Sequence, residues 1–203
     1  MEAQEAADKI QEAGEAEHGR AEHFRRRAAV AIGVLAMLLA ITAVSGEKAS
    51  REVITANIQA SDMYAFYQAK NIRQTANKLA ADEAEMLLLS QPTLAPEARA
   101  TIQKRIDGYK ATVAHYESDP AKGEGKQELL AKARALEARR DHTEKQLPSF
   151  ELAQGLYQIG IVLGSVAIVA GARWLLWLGL GLGAGASLLL LNGYLLLIDL
   201  PLG

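Results

Sequence analysis

Apolar residues follow two different rhythms along this chain. Three predominantly apolar stretches carry no acidic or basic side chain: Ala28 to Gly46, Leu152 to Ala172 and Trp174 to Ile198. A bilayer core about 30 Å thick takes roughly 20 apolar residues at a helical rise of about 1.5 Å. Each stretch is therefore predicted to be a membrane-spanning helix, which satisfies its own backbone in hydrocarbon.

Between the first and second stretches the rhythm becomes heptad. Ile58, Ala65, Ile72, Leu79 and Met86 recur every seven residues, with Ala69 and Ala76 beside them. This is the seam of a helical hairpin or coiled coil. Glu47 to Leu89 holds neither Pro nor Gly, so the first span is expected to run on into a helix of about 60 Å. Pro92 and Pro96 break it. Ile102, Ile106, Tyr109, Val113 and Tyr116 then mark a second helix, which Asp119, Pro120, Gly123 and Gly125 end. A third helix, Lys126 to Gln146, carries Leu129, Leu130, Ala133 and Leu136 before Pro148, and Ser149 is expected to cap the second span.

The predicted fold is an all-α membrane protein: three transmembrane helices, with a long helical hairpin or small bundle between the first and second. The expected segments are a helix-prone tail (1–27), span one (28–46), an extramembrane helical domain (47–150), span two (151–172) and span three (174–198).

Composition sharpens this picture in three ways. The 24 acidic and 22 basic residues leave a net charge of −2 and lie almost wholly outside the spans. No clustered basic face of the kind nucleic acid demands is present. With no cysteine, disulfides, thiolate zinc sites, iron–sulfur clusters and cysteine nucleophiles are excluded. The first span has a cleavage-like Ala-Val-Ser-Gly at its end, but the long acidic segment before it is unlike a signal peptide, so it is expected to be a retained anchor.

Basic residues set the expected orientation. Arg20, Arg25, Arg26 and Arg27 precede the first span and Arg173 separates the other two. By the positive-inside bias the N-terminus is cytoplasmic, residues 47–150 periplasmic and the C-terminal end outside, in a bacterial inner membrane. Arg25, Arg26 and Arg27 would face anionic lipid headgroups.

Small residues set the expected packing. Gly179 with Gly183, and Gly181 with Gly185, form small-xxx-small pairs on the third span, as do Gly160 and Gly164 on the second. Such faces suit a tight antiparallel pair of spans, or self-association between subunits. Asn192, deep in the third span, either bonds a neighbouring helix or lines a pathway, and packing is the simpler role.

Candidate chemistry is sparse. His18, Glu22 and His23 lie on one predicted helix, but the histidines are five residues apart rather than four, and a solvated face accounts for them. His115 and His142 stand alone, without a nucleophile or orienting group. Gly123-Glu-Gly125-Lys126 lacks the remaining residues of a phosphate loop, and the Gly179 to Gly185 run lies within a span. No catalytic residue, cofactor or metal is expected.

The most distinctive segment, Ala60 to Gln74, concentrates Tyr64, Phe66 and Tyr67 with Asp62, Lys70 and Arg73. These aromatics cannot share one helical face. The cluster either locks the hairpin, together with Tyr109 and Tyr116, or forms a partner-binding surface.

This segment, Ala65-Phe-Tyr-Gln-Ala-Lys70-x-Ile72-Arg73-Gln74 with the preceding Ala60-Ser-Asp62, resembles a family of uncharacterised bacterial membrane proteins, domain of unknown function 4337. The basic-flanked first span, Phe150-Glu-Leu-Ala and Gln158-Ile-Gly-Ile-Val-Leu-Gly-Ser165 extend the resemblance over most of the chain. It implies the same membrane architecture, supplies no activity, substrate or catalytic residue, and leaves function open. The expected role is therefore a non-catalytic structural or accessory protein, in contact with membrane lipids, that oligomerises or joins a larger membrane assembly; the alternative is a homo-oligomeric pore or transport element.

Overall fold

The computed structural model describes the backbone of residues 2–199 and the side chains of residues 18, 19 and 21–199. Helix α1 is unbroken over Glu2–Ser90. Nothing in that stretch stops it: it holds no proline, and its glycines are isolated, each costing a helix only about 1 kcal/mol. Helices α2 (Pro96–Glu117), α3 (Lys126–Glu144), α4 (Leu147–Ala170) and α5 (Arg173–Leu195) follow, and the described residues contain no strand. Three helical stretches, in α1, α4 and α5, are long and apolar enough to cross a membrane. Met1 of the expected tail, and residues 200–203 of the C-terminal end beyond the third expected span, lie outside the described residues.

The chain divides into two compact units, one of residues up to Arg51 together with those from His142 onward, the other Glu52–Asp141. In the first unit α1, α4 and α5 share a core of Leu35, Ala49, Phe150, Ala153, Tyr157, Ala186 and Leu190. The turn from α4 to α5 uses Gly171 at φ 65°, whose N–H reaches Ala167 O. That left-handed conformation suits glycine and ends the helix abruptly.

Two boundaries differ from expectation. Ser149 does not cap the second span: α4 starts at Leu147 after Gln146. Pro148 fits the first turn, where its missing N–H is no loss, so Ser149 falls inside the helix, fully buried. The third apolar stretch, expected to be helical to Ile198, stops being helical after Leu195, where Leu196 turns left-handed at φ 47°. Asn192 causes the stop: its side chain accepts from the Ile198 N–H at 2.9 Å and donates to the Ile198 carbonyl at 2.9 Å.

In the second unit, α2 and then α3 line α1 in the opposite direction. Glu85 pairs with Lys110, Gln74 donates to Val113 O and Glu117, Tyr64 donates to Glu137, and Glu52 pairs with Arg139. The stripe on α2 points inward, with Ile106 fully buried, as do Leu129 and Ala133 of α3.

The Ile58, Ala65, Ile72, Leu79, Met86 stripe is not the face that α1 turns to α2 and α3. All five, with Ala69 and Ala76, are exposed; Ile72 retains 68% and Met86 70% of their surface. The face turned inward is a second heptad series of Ala56, Ala60, Met63, Tyr67, Lys70, Gln74, Asn77, Ala81, Ala84 and Leu88, each buried or half-buried. Two residues of offset rotate a helix by about 200°, so the two series lie on opposite sides. Alanines at 56, 60 and 81 let the partner helices approach closely, and those helices supply the bulk.

Candidate functional site

The segment Ala60 to Gln74 contributes to both sides of α1. On the inner side, Gln74 is 2% exposed and uses its whole amide. Its Nε2 donates to Val113 O at 3.0 Å and Glu117 Oε2 at 2.8 Å, and its Oε1 accepts from Lys126 Nζ at 2.8 Å. Lys126 Nζ also lies 3.5 Å from Glu117 and 5.3 Å from the centre of the Tyr67 ring. Lys70, 8% exposed, sits 3.7 Å from Glu124 and 6.0 Å from both the Phe66 and Tyr116 ring centres. Ion pairing with aromatic faces offsets the cost of withdrawing these two ammonium groups from water.

Hydrogen bonding governs the titrations around this network. The Gln74 amide holds the Glu117 carboxyl below its usual range, assisted by Gln127 and Lys126. The Ser118 hydroxyl, 2.6 Å away, lowers Glu128 in the same way. Tyr64 is raised because its hydroxyl donates to Glu137, and Lys110 because it donates to Glu85. Asp119 is 5% exposed; its Oδ1 takes the Lys122 N–H. Its Oδ2 lies 3.3 Å from His115 Nε2 without a well-directed hydrogen bond.

The six residues singled out in the sequence thus separate. Tyr64, Tyr67 and Lys70 hold α2 and α3, whereas Asp62, Phe66 and Arg73 are exposed beside Ala65, Ala69 and Ile72. The Gln74, Lys126, Glu117 network was not anticipated; its signal is polar residues, Lys70, Gln74 and Asn77 on α1 and Lys126 on α3, at inward-facing helical positions.

The glycines separate as well. Gly160 and Gly179 meet backbone to backbone, since a Cβ at either would lie 2.9 or 2.8 Å from the other's carbonyl oxygen. Gly164 receives Ile32, and Gly183 receives Leu35, both from α1, while Gly181 and Gly185 face open space. Asn192 also donates to Ser149 Oγ at 2.9 Å, so its amide is fully engaged in joining α5 to α4. Tyr157, fully buried, bonds Ser187 at 2.9 Å.

Arg26 and Arg27 share a recess with His23 and Val30, and Arg25 faces another. Arg27 also lines one with His23, Phe24 and Arg173, and Arg25 lies with His18, Ala21 and Glu22. Among the described residues no three His, Cys, Asp or Glu side chains are placed to hold a metal ion.

These features define a class: an all-helical protein with three helices long and apolar enough to cross a membrane, and a long α1 whose partner helices are tied to it by a buried polar network. The chain belongs to the family described as a domain of unknown function, DUF4337, whose model matches residues 24–196. No curated protein and no solved structure matches it.

Proposed function

We propose that this is a non-catalytic accessory protein of a membrane assembly, anchored by the apolar stretches of α1, α4 and α5 and docking a helix of an unlike subunit along the outer face of α1. One observation carries this reading: an unbroken heptad series, Ile58, Ala65, Ile72, Leu79 and Met86, is solvent-exposed on a helix whose opposite face already holds α2 and α3. A heptad seam is the pattern one helix offers another, and contiguous exposed apolar surface marks an interaction site.

Charge on the seam favours an unlike partner. Asp62 and Glu83 lie in the same stripe and are exposed. Two copies inserted the same way in one membrane and paired in register would set acid against acid, which is destabilising. A helix with apolar heptads and basic residues opposite those positions fits better. The inner-membrane location, with the N-terminus cytoplasmic and residues 47–150 periplasmic, belongs to this proposal and rests on the placement of the arginines.

The test is mild extraction from native membranes, the mass of the intact particle and identification of its chains. Unlike subunits at fixed stoichiometry are expected, lost when Ile72→Glu and Leu79→Glu are combined while helix content is unchanged. A closed ring of this chain alone would overturn the reading and bring forward the pore.

A further inference from the structure

The basic end of the first unit brings together residues far apart in sequence. Arg27, at the start of the apolar stretch of α1, and Arg173, the first residue of α5, line one cleft of about 410 Å³ with His23 and Phe24. The Arg173 guanidinium, a planar fork that can meet two phosphate oxygens, lies 5.9 Å from the centre of the Phe24 ring. Among the described residues no acidic side chain lines the cleft; Glu22 faces the separate recess of His18, Ala21 and Arg25.

Two further observations point to the occupant. The residue before α5, Ala172, offers its first turn no side-chain cap and takes only the Leu175 N–H on its carbonyl, so no side chain of Ala172 neutralises the positive end of that helix beside Arg173. Trp174 and Trp177 follow at once and are 67% and 74% exposed, with exposed Val30 beside the adjoining recess. Cationic groups bordered on one side by exposed tryptophan and aliphatic surface match a phospholipid, with its phosphate at the arginines and its acyl chains along the apolar helices.

We propose that Arg27 and Arg173, supported by His23 and Phe24, form a binding site for the phosphate of an anionic phospholipid headgroup. The proposal rests on the membrane reading above and narrows lipid contact from three consecutive arginines to one built cleft.

The full chain, reconstituted in phosphatidylcholine discs with a minor share of phosphatidylglycerol, is released from the discs and its retained lipids are counted by native mass spectrometry. Phosphatidylglycerol is expected to be retained well above its share. Retention should fall roughly fivefold for Arg27→Gln or Arg173→Gln and about thirtyfold for both. Arg51→Gln, an exposed arginine paired with Glu47, should leave it unchanged, and Arg173→Lys, which keeps charge and helix, should retain an intermediate amount.

Equal retention by the double variant, or retention in proportion to lipid share, overturns the site. Inorganic phosphate that protects Arg173 from modification in detergent while phosphatidylglycerol shows no enrichment also overturns it, in favour of a soluble anion. Release of the chain from native membranes by alkaline carbonate marks failure of the membrane reading itself.

Discussion

Gln74 shows how one side chain organises the Glu52–Asp141 unit. It satisfies a backbone carbonyl, a carboxylate and an ammonium group at once, with its own amide and the Lys126 ammonium withdrawn from water and Glu117 half-exposed at the edge. Gln74→Leu keeps the volume and strands those partners, so it should destabilise the fold by about 1–3 kcal/mol. Thermal melting by circular dichroism would register this, and an unchanged midpoint would remove the network from the account of stability. The titrating groups have a consequence of known sign. Glu117 and Glu128 are lowered in the folded chain by hydrogen bonds, so their contribution is present above the ordinary carboxylate value of about 4.3 and is lost as pH falls through the folded value. Tyr64 and Lys110 are raised by their bonds to Glu137 and Glu85. Their contribution is present below about pH 10 and is lost as pH rises through the folded value. Melting temperature should therefore be flat from about pH 5 to 9 and fall on either side. Combining Glu117→Gln with Glu128→Gln should shrink the acid-side fall; an identical acid limb in that variant would rule the two carboxylates out as its source.

Among elements, α4 and α5 meet backbone to backbone at one glycine pair, Gly160 and Gly179. Gly160→Ala or Gly179→Ala sets a methyl group against a backbone carbonyl that has no rotamer to yield. Each should lower stability in detergent by about 1–3 kcal/mol. Gly181→Ala and Gly185→Ala meet open space and should be neutral to stabilising, by up to about 1 kcal/mol. A dye-based melt of the four variants checks this, and equal losses at all four would mean that α5 packs by some other face. The spacing of the glycines was legible in the sequence, but their division was not. Small-xxx-small spacing marks faces that permit close approach, and which face is used depends on where the third helix lies. Here α1 fills Gly164 and Gly183 with Ile32 and Leu35.

For the molecule as a whole, both tryptophans lie at the end of α5 that carries Arg173. If that end sits at a membrane surface, bromine placed near the headgroup of a reconstituted bilayer should quench tryptophan fluorescence more than bromine near the chain terminus. The reverse order would place the start of α5 deep in the bilayer.

Local chemistry settled much of this in advance. Long uncharged apolar stretches, the prolines near residues 92 and 148, and heptad spacing depend only on neighbours in the chain, so the sequence by itself determined five helices, three of them long and apolar enough to cross a membrane. It could not choose between the two heptad faces of α1, because both are regular and the more hydrophobic one is left outside. Tertiary structure made that choice: alanines allow close packing, and Gln74, Lys126 and Glu117 satisfy one another only when α2 and α3 lie on that side. Tertiary structure likewise brought Arg27 beside Arg173, since a cleft built from two distant segments exists only once the helices have packed.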